Sequence, residues 1–130
     1  MASIFSKIIA GEIPCHKVAE TKDFLAILDI QPVATGHVLV LPKKEVDYIF
    51  DLDDETLMGI QIFAKAVAHA IKAEVPCARI GVSVIGLEVP HAHIHLIPIN
   101  TLGDMDFTKD RRPWADEELA DLAARIANRV

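Results

Sequence analysis

Cysteine is scarce in this 130-residue chain: Cys15 and Cys77 are the only two, far apart and outside any C-x-x-C pair. That usage argues against a disulfide framework and for two reduced structural thiols in a cytoplasmic protein. Long apolar runs are missing too, and no segment is expected to span a bilayer. The opening Met-Ala-Ser-Ile-Phe-Ser-Lys has no basic region followed by an apolar stretch, so no signal peptide is expected. Positive charge is in deficit. With 13 Lys and Arg against 19 Asp and Glu, the formal net charge is −6. Such a chain lacks the electrostatic footprint of a protein that binds nucleic-acid polymers. A small anion remains compatible, because backbone N–H groups bind phosphate without net positive charge.

What is present is the composition of a globular domain, 52% hydrophobic and 25% charged. The length suits one domain over residues 1–130, burying roughly two-thirds of its unfolded surface. A mean hydropathy of +0.31 is high for a small domain and hints that a second subunit covers apolar surface. Ser3 to Ala10 reads as a short helix ended by Gly11. His16 to Glu20, Phe24 to Ile30 and His37 to Leu41 read as strands, with a Pro- and Gly-punctuated loop at residues 31–36. Asp53, Asp54 and Glu55 mark a helix start. From there Leu57, Ile60, Ala64, Val67 and Ile71 recur at helical spacing until Pro76 closes the helix. Arg79 to Ile85 and Ala92 to Ile99 are two further strands, and a last helix is expected between Trp114 and Val130. The expected class is α+β: a mainly antiparallel sheet of about five strands, one long helix and short terminal helices.

Three of the six histidines alternate in Pro90-His91-Ala92-His93-Ile94-His95-Leu96-Ile97-Pro98. Side chains at i, i+2 and i+4 of a strand share a face, so His91, His93 and His95 line one side while Ala92, Ile94 and Leu96 face the other. Packing alone rarely produces such a row. Metal binding is one chemical reading, since imidazole is a common ligand. However, three alternating residues span about 13 Å, and one ion would need help from His37 or His69. Nucleophilic catalysis is the other reading. A neutral imidazole attacks phosphorus when one nitrogen is bare and aimed, and a hydrogen bond at the other nitrogen fixes that tautomer.

His91-Ala-His-Ile-His-Leu-Ile97 is similar to the H-φ-H-φ-H-φ-φ signature of the histidine-triad (HIT) family. The resemblance extends upstream through Ile4 to Pro14, Phe24 to Ile30 with Pro32, and Gly36 to Lys43. It implies a HIT-like fold and a bacterial-type nucleotide hydrolase or transferase. By resemblance, His93 is the nucleophile toward the α-phosphorus of a nucleoside phosphoramidate, dinucleotide or similar ester. A nucleotidyl-histidine forms, and water releases the mononucleotide. His91 and His95 orient His93 and relay protons, and His37 completes their network. Asp29 matches the ribose-binding acid, whose carboxylate accepts from both ribose hydroxyls. Ile27 and Ile30 belong to the base pocket, and Leu87 and Glu88 lie toward the phosphate or leaving group. The implied ligand is a purine nucleotide or nucleoside phosphoramidate, with no cofactor. Family members also pair through the long helix and the following strand, which implies a homodimer.

Two departures stand out. Many family members carry Gly-Gln-x-Val before the triad; this chain has Gly86-Leu87-Glu88-Val89, and leucine donates no hydrogen bond. Missing donors at developing negative charge commonly cost a hundredfold or more in rate. Some bacterial members also hold structural zinc on an N-terminal C-x-x-C and two histidines. Here Ser3-Ile4-Phe5-Ser6 and Glu45 occupy the corresponding positions, and hydroxyls are poor zinc ligands, so no such metal site is expected. Three functions therefore compete: a metal-independent enzyme acting through His93, a nucleotide-binding regulatory module with weak or no catalysis, and a metal-dependent hydrolase.

Overall fold

The computed structural model describes residues 2–130; Met1, the first residue of the expected domain, lies outside them. The chain runs α1 (Ile4–Ile9), β1 (Lys17–Glu20), β2 (Phe24–Leu28), β3 (Val38–Pro42), α2 (Asp54–Glu74), β4 (Arg79–Ser83), β5 (Ile94–Ile99) and α3 (Asp116–Ala127). Two short 3-10 turns, Ile49–Asp51 and Leu102–Met105, were not expected from sequence. The five strands form one sheet in the order β1-β2-β3-β5-β4, and every neighbouring pair is antiparallel. The expected α+β class is therefore what the chain adopts.

Strands β2 and β3 are buried along their whole length because both sheet faces are covered. Phe24, Ala26, Leu28, Val38, Val40, Ile94 and Leu96 pack against Ile60, Ala64, Val67 and Ile71 of α2 and Leu119, Leu122 and Ile126 of α3. The alternate residues Leu25, Ile27, Leu39 and Leu41 meet Phe5 of α1. Helix α2 begins where its residues dictate: the Asp53 side chain accepts from the Thr56 N–H, and Asp54 and Glu55 occupy the first turn. Its buried stripe is the expected one, except that Leu57 packs beside Ile49, Leu52 and Ala92.

Strand β5 starts at Ile94, not Ala92. The Ala92 N–H is drawn aside to the Val46 carbonyl (2.7 Å), and the His91 N–H turns back to Val89 (2.8 Å). Likewise β2 stops at Leu28, because the Asp29 carboxylate captures the Gln31 N–H (2.9 Å) in a side-chain turn. Strand β4 ends at Ser83, two residues short of the expected Ile85, and forms one edge of the sheet.

Gly36 delivers the chain into His37 at φ +88°, and a Cβ there would lie 3.0 Å from Val75 Cγ2 and 3.1 Å from Pro98 Cγ. Gly86 has a similar φ of +77°, but nothing lies within 4 Å of its Cβ position. Gly36→Ala is expected to lower the unfolding free energy by about 1–3 kcal/mol, and by more than Gly86→Ala, because only the first adds a steric clash. Urea denaturation of both variants checks this; equal losses would mean that the space around Gly36 does not matter.

Candidate active site

The histidines are brought together by the centre of the sheet. His95 sits in β5, in register with Leu39 on one side and Ser83 on the other. His37 directly precedes β3, and His91 and His93 lead into β5. All four are buried. Phe5 stands edge-on to His91 (5.8 Å) and His93 (5.0 Å), and the His93 and His95 rings are 4.9 Å apart. The shared-face expectation holds for the rings, while Ala92, Ile94 and Leu96 face apolar clusters. Of the four, however, only His93 and His95 line the cavity described below.

Fixed partners determine each tautomer. The Val33 N–H donates to His37 Nδ1 (3.1 Å), so the proton of neutral His37 is on Nε2. That Nε2–H donates to His95 Nδ1 (2.9 Å), which puts the His95 proton on Nε2. His93 Nδ1–H donates to the His91 carbonyl (2.7 Å), leaving His93 Nε2 with a bare lone pair. His91 Nε2–H donates to the Pro42 carbonyl (2.7 Å), and its Nδ1 accepts from the Ser3 hydroxyl (2.9 Å). No buried side-chain nitrogen among the described residues lacks a partner, so the unpartnered Nε2 atoms of His93 and His95 both reach solvent. The site thus offers one nucleophilic lone pair next to one N–H donor.

Burial favours the neutral form of His37, His93 and His95. It lowers His37 from an ordinary 6.5 to about 3, and His95 to about 4, with neighbouring His95 and His93 respectively adding to the effect. His93 is also lowered by burial, against the pull of its bond to the His91 carbonyl. A neutral His37 makes its 3.8 Å approach to Asp29 a polar contact and not an ion pair.

A cavity of about 410 Å³ opens beside His93 and His95. Asp29, Ile27, Ile30, Leu87 and Glu88, all named from sequence, line it. Ile27 is buried and also part of the core, whereas Ile30, Leu87 and Glu88 are exposed around its mouth. The remaining wall is mostly apolar, with Ile4, Phe5, Ile8 and Leu39 among it. Burial raises the Asp29 carboxyl above its ordinary range, against the pull of the Gln31 N–H and Arg111. Sequence reasoning missed Phe107 and Arg111, which also line the cavity. Phe107 stands 4.8 Å from His95, and Arg111 is 4.0 Å from Asp29 and 3.6 Å from Glu88. They lie in a stretch without periodicity, where Lys109-Asp110-Arg111-Arg112 reads as solvated charge, so no local signal marked them.

Two arrangements bear on metals. Ser3, Ser6 and Glu45 do meet beside His91, but through hydrogen bonds: the Ser3 N–H and the Ser6 hydroxyl (2.7 Å) donate to Glu45, and Ser3 caps α1 while bonding His91. Two hydroxyls and a carboxylate are a poor donor set for zinc. Elsewhere Asp29, His37 and His95 bring potential ligand atoms within 4.8 Å of one another. Both His37 nitrogens are already committed, so ligation there requires breaking buried hydrogen bonds. His69 is exposed on α2, apart from this cluster.

An antiparallel sheet with a histidine row beside an apolar cavity defines a class, and comparison places the chain within it. A HIT domain matches residues 10–102. The adenosine 5'-monophosphoramidase HNT1 of Saccharomyces cerevisiae is 43% identical over 98 residues, covering 75% of this chain and 62% of that one. The adenosine 5'-monophosphoramidase hnt1 of Schizosaccharomyces pombe is 35% identical over 132 residues, covering all of this chain and 99% of its own length. A crystal structure of a Hit-like protein involved in cell-cycle regulation from Bartonella henselae superposes with a TM-score of 0.87 at 32% identity, over 98% of this chain and 96% of that one. The chain belongs to the HIT family.

The neutral histidines tie stability to pH. Their folded pKa values lie below the unfolded value, so the unfolded chain takes up protons first as the pH falls below about 6.5. Stability is complete above that pH and is lost through about 4 for His95 and about 3 for His37. Each histidine contributes a slope of at most about 1.4 kcal/mol per pH unit in this window. Urea midpoints from pH 7 to pH 4.5 should fall, and His37→Phe should flatten the fall. An unchanged slope in that variant would mean His37 is not held neutral.

Proposed function

We propose that this protein is a metal-independent hydrolase or transferase that cleaves a phosphorus bond of a purine nucleoside phosphoramidate or related nucleotide through a nucleotidyl-histidine intermediate. The observation that carries this reading is the pair of cavity-facing nitrogens: a bare His93 Nε2 beside a protonated His95 Nε2. Two yeast relatives named as adenosine 5'-monophosphoramidases support it. In this reading His93 Nε2 attacks the α-phosphorus. The bond to the leaving group breaks while the His91 carbonyl holds His93 Nδ1–H and stabilises the charge that the ring acquires. His95 Nε2–H, neutral, donates a hydrogen bond to the leaving atom, which takes its proton from solvent, and the attacking water of the second step returns one to solvent. Water then attacks the phosphorus, the bond to His93 breaks, and the mononucleotide leaves. His37 acts through His95 by fixing its tautomer. Asp29 accepts from the ribose hydroxyls, Ile27 and Ile30 flank the base, and Leu87 and Glu88 border the leaving group. Residues 1–130 serve as one HIT domain in a cytoplasmic protein.

Adenosine 5′-phosphoramidate, offered with and without EDTA, tests the reaction. Turnover should survive EDTA and fall at least a hundredfold in His93→Ala, while AMP binding persists. Binding without turnover in the wild type would favour a regulatory module. Loss of turnover in EDTA with recovery in zinc would favour a metallohydrolase. Near-normal turnover in His93→Ala would remove the nucleophile assignment.

We also infer a homodimer through α2 and β4. Strand β4 is a sheet edge whose Val82 is 58% exposed, and α2 leaves Met58 and Ile62 61% and 71% exposed. Unpaired edges and bare apolar side chains favour pairing with a second copy. Light scattering at micromolar concentration should give about 29 kDa, twice the 14.3 kDa chain, and Ile62→Glu should shift it toward the monomer. A wild-type monomer mass would contradict the dimer.

A further inference from the structure

The nucleotide in the proposed reaction is an anion, yet the cavity walls carry little to attract one. Their ionisable side chains are Asp29, Glu88, Cys15, His93, His95 and Arg111. Two of these are acidic, and both imidazoles are held neutral by burial. Leu87 projects at the mouth and donates nothing. Among the described residues, Arg111 is the one Lys or Arg on the wall. We propose that Arg111 is a substrate-binding residue whose guanidinium grips the phosphate group of the nucleotide between Asp29 and His95. This proposal rests on the nucleotide reading above and adds a residue to it.

The geometry is that of a donor kept available. Arg111 is mostly buried, at 19% side-chain exposure, but its nearest acidic atoms are 4.0 Å away on Asp29 and 3.6 Å away on Glu88. Neither approach is a hydrogen bond, and the guanidinium makes none among the described residues. Five N–H donors in a planar fork therefore remain free for phosphate oxygens. Asp29 is not simply neutralised by Arg111, since one of its oxygens is already taken by the Gln31 N–H and the other stays at 4.0 Å from the guanidinium.

The segment that carries Arg111 is clamped at both ends. On one side Phe107 packs against His95 and His37, and the guanidinium carbon lies 5.9 Å from the Phe107 ring centre. On the other, the Trp114 N–H donates to the Ile30 carbonyl (3.1 Å), and its ring packs on the main core. Glu88 is the partner that gives way. Its side chain is 81% exposed, and an ion pair this open is held only weakly. An incoming phosphate displaces it into solvent.

Calorimetric titration of the full chain with AMP and with adenosine tests this, because the two differ only in the phosphate. Arg111→Ala should weaken AMP roughly ten- to a hundredfold, the range for one lost charge-assisted contact, and change adenosine less than about twofold. Arg111→Lys should fall between, keeping the charge without the fork. Glu88→Gln should tighten AMP a few-fold, since it removes the competitor for the guanidinium. Thermal melts confirm that each variant folds. Equal weakening of AMP and adenosine would show that Arg111 acts through Asp29 and the ribose pocket, and would overturn the proposal. So would unchanged AMP binding in Arg111→Ala, or weaker AMP binding in Glu88→Gln. A wild type that binds neither ligand would instead overturn the nucleotide reading, and Arg111's role with it.

Discussion

Burial disfavours the charged form of an imidazole, and its polar atoms must be satisfied or the fold loses several kcal/mol. Four buried histidines sit together here, and the hydrogen bond from His37 to His95 is the contact that sets the state of the ring facing the cavity. It is directional because the Val33 amide, which can only donate, stands behind His37. A proton position fixed by a backbone amide in the loop after Asp29 thus reaches the cavity through two side chains. On the other side, the His91 carbonyl can only accept, and it fixes His93 in the opposite tautomer. One histidine exposes a lone pair and its neighbour exposes an N–H, with no charged group needed to impose the difference.

The same logic ties the site to the periphery. His91 does not itself line the cavity. It uses its two nitrogens to join the Pro42 end of β3 to Ser3 at the start of α1. Ser3 is at once the helix cap and the donor to His91, and Glu45 collects the remaining donors of Ser3 and Ser6. These hydrogen bonds hold Glu45 ionised, at a pKa of about 2. Helix α1 is only six residues long and would not persist alone; this network and Phe5, packed against His91 and His93, keep it over the sheet. The helix in turn supplies part of the cavity wall.

The sheet can place a polar row beside an apolar core because alternation is separated by cover. In β3, Val38 and Val40 enter the core under α2, while Leu39 and Leu41 face α1. In β5, Ile94 and Leu96 follow the first pattern, and His95 takes the place that a leucine occupies on its neighbour. Substituting polar side chains on one face leaves the other face's packing intact, so the histidine row does not compete with the main core for the same positions.

Much of this was written locally. The apolar stripe of α2 fixed its helix, its Asp53 cap and the face it buries, because a 3.6-residue period permits only one such face. The alternation through His91, His93 and His95 marked out the histidine row, and the family resemblance pointed to His37, which bonds His95, and to Asp29 and other residues that line the cavity. Strand ends were read less well. Ala92 stays outside its strand because Val46 claims its N–H, and β2 ends before Asp29, whose carboxylate turns the chain by accepting from the Gln31 N–H; no propensity encodes those distant or side-chain partners. Only tertiary structure decided which nitrogen of each histidine carries the proton, since that depends on whether a donor or an acceptor is placed opposite it. It alone brought Phe107 and Arg111 from an aperiodic stretch to the cavity. Their position is set by Trp114 packing on the core and by the edge-on contact of Phe107 with His95, contacts between separate segments that no local sequence pattern records.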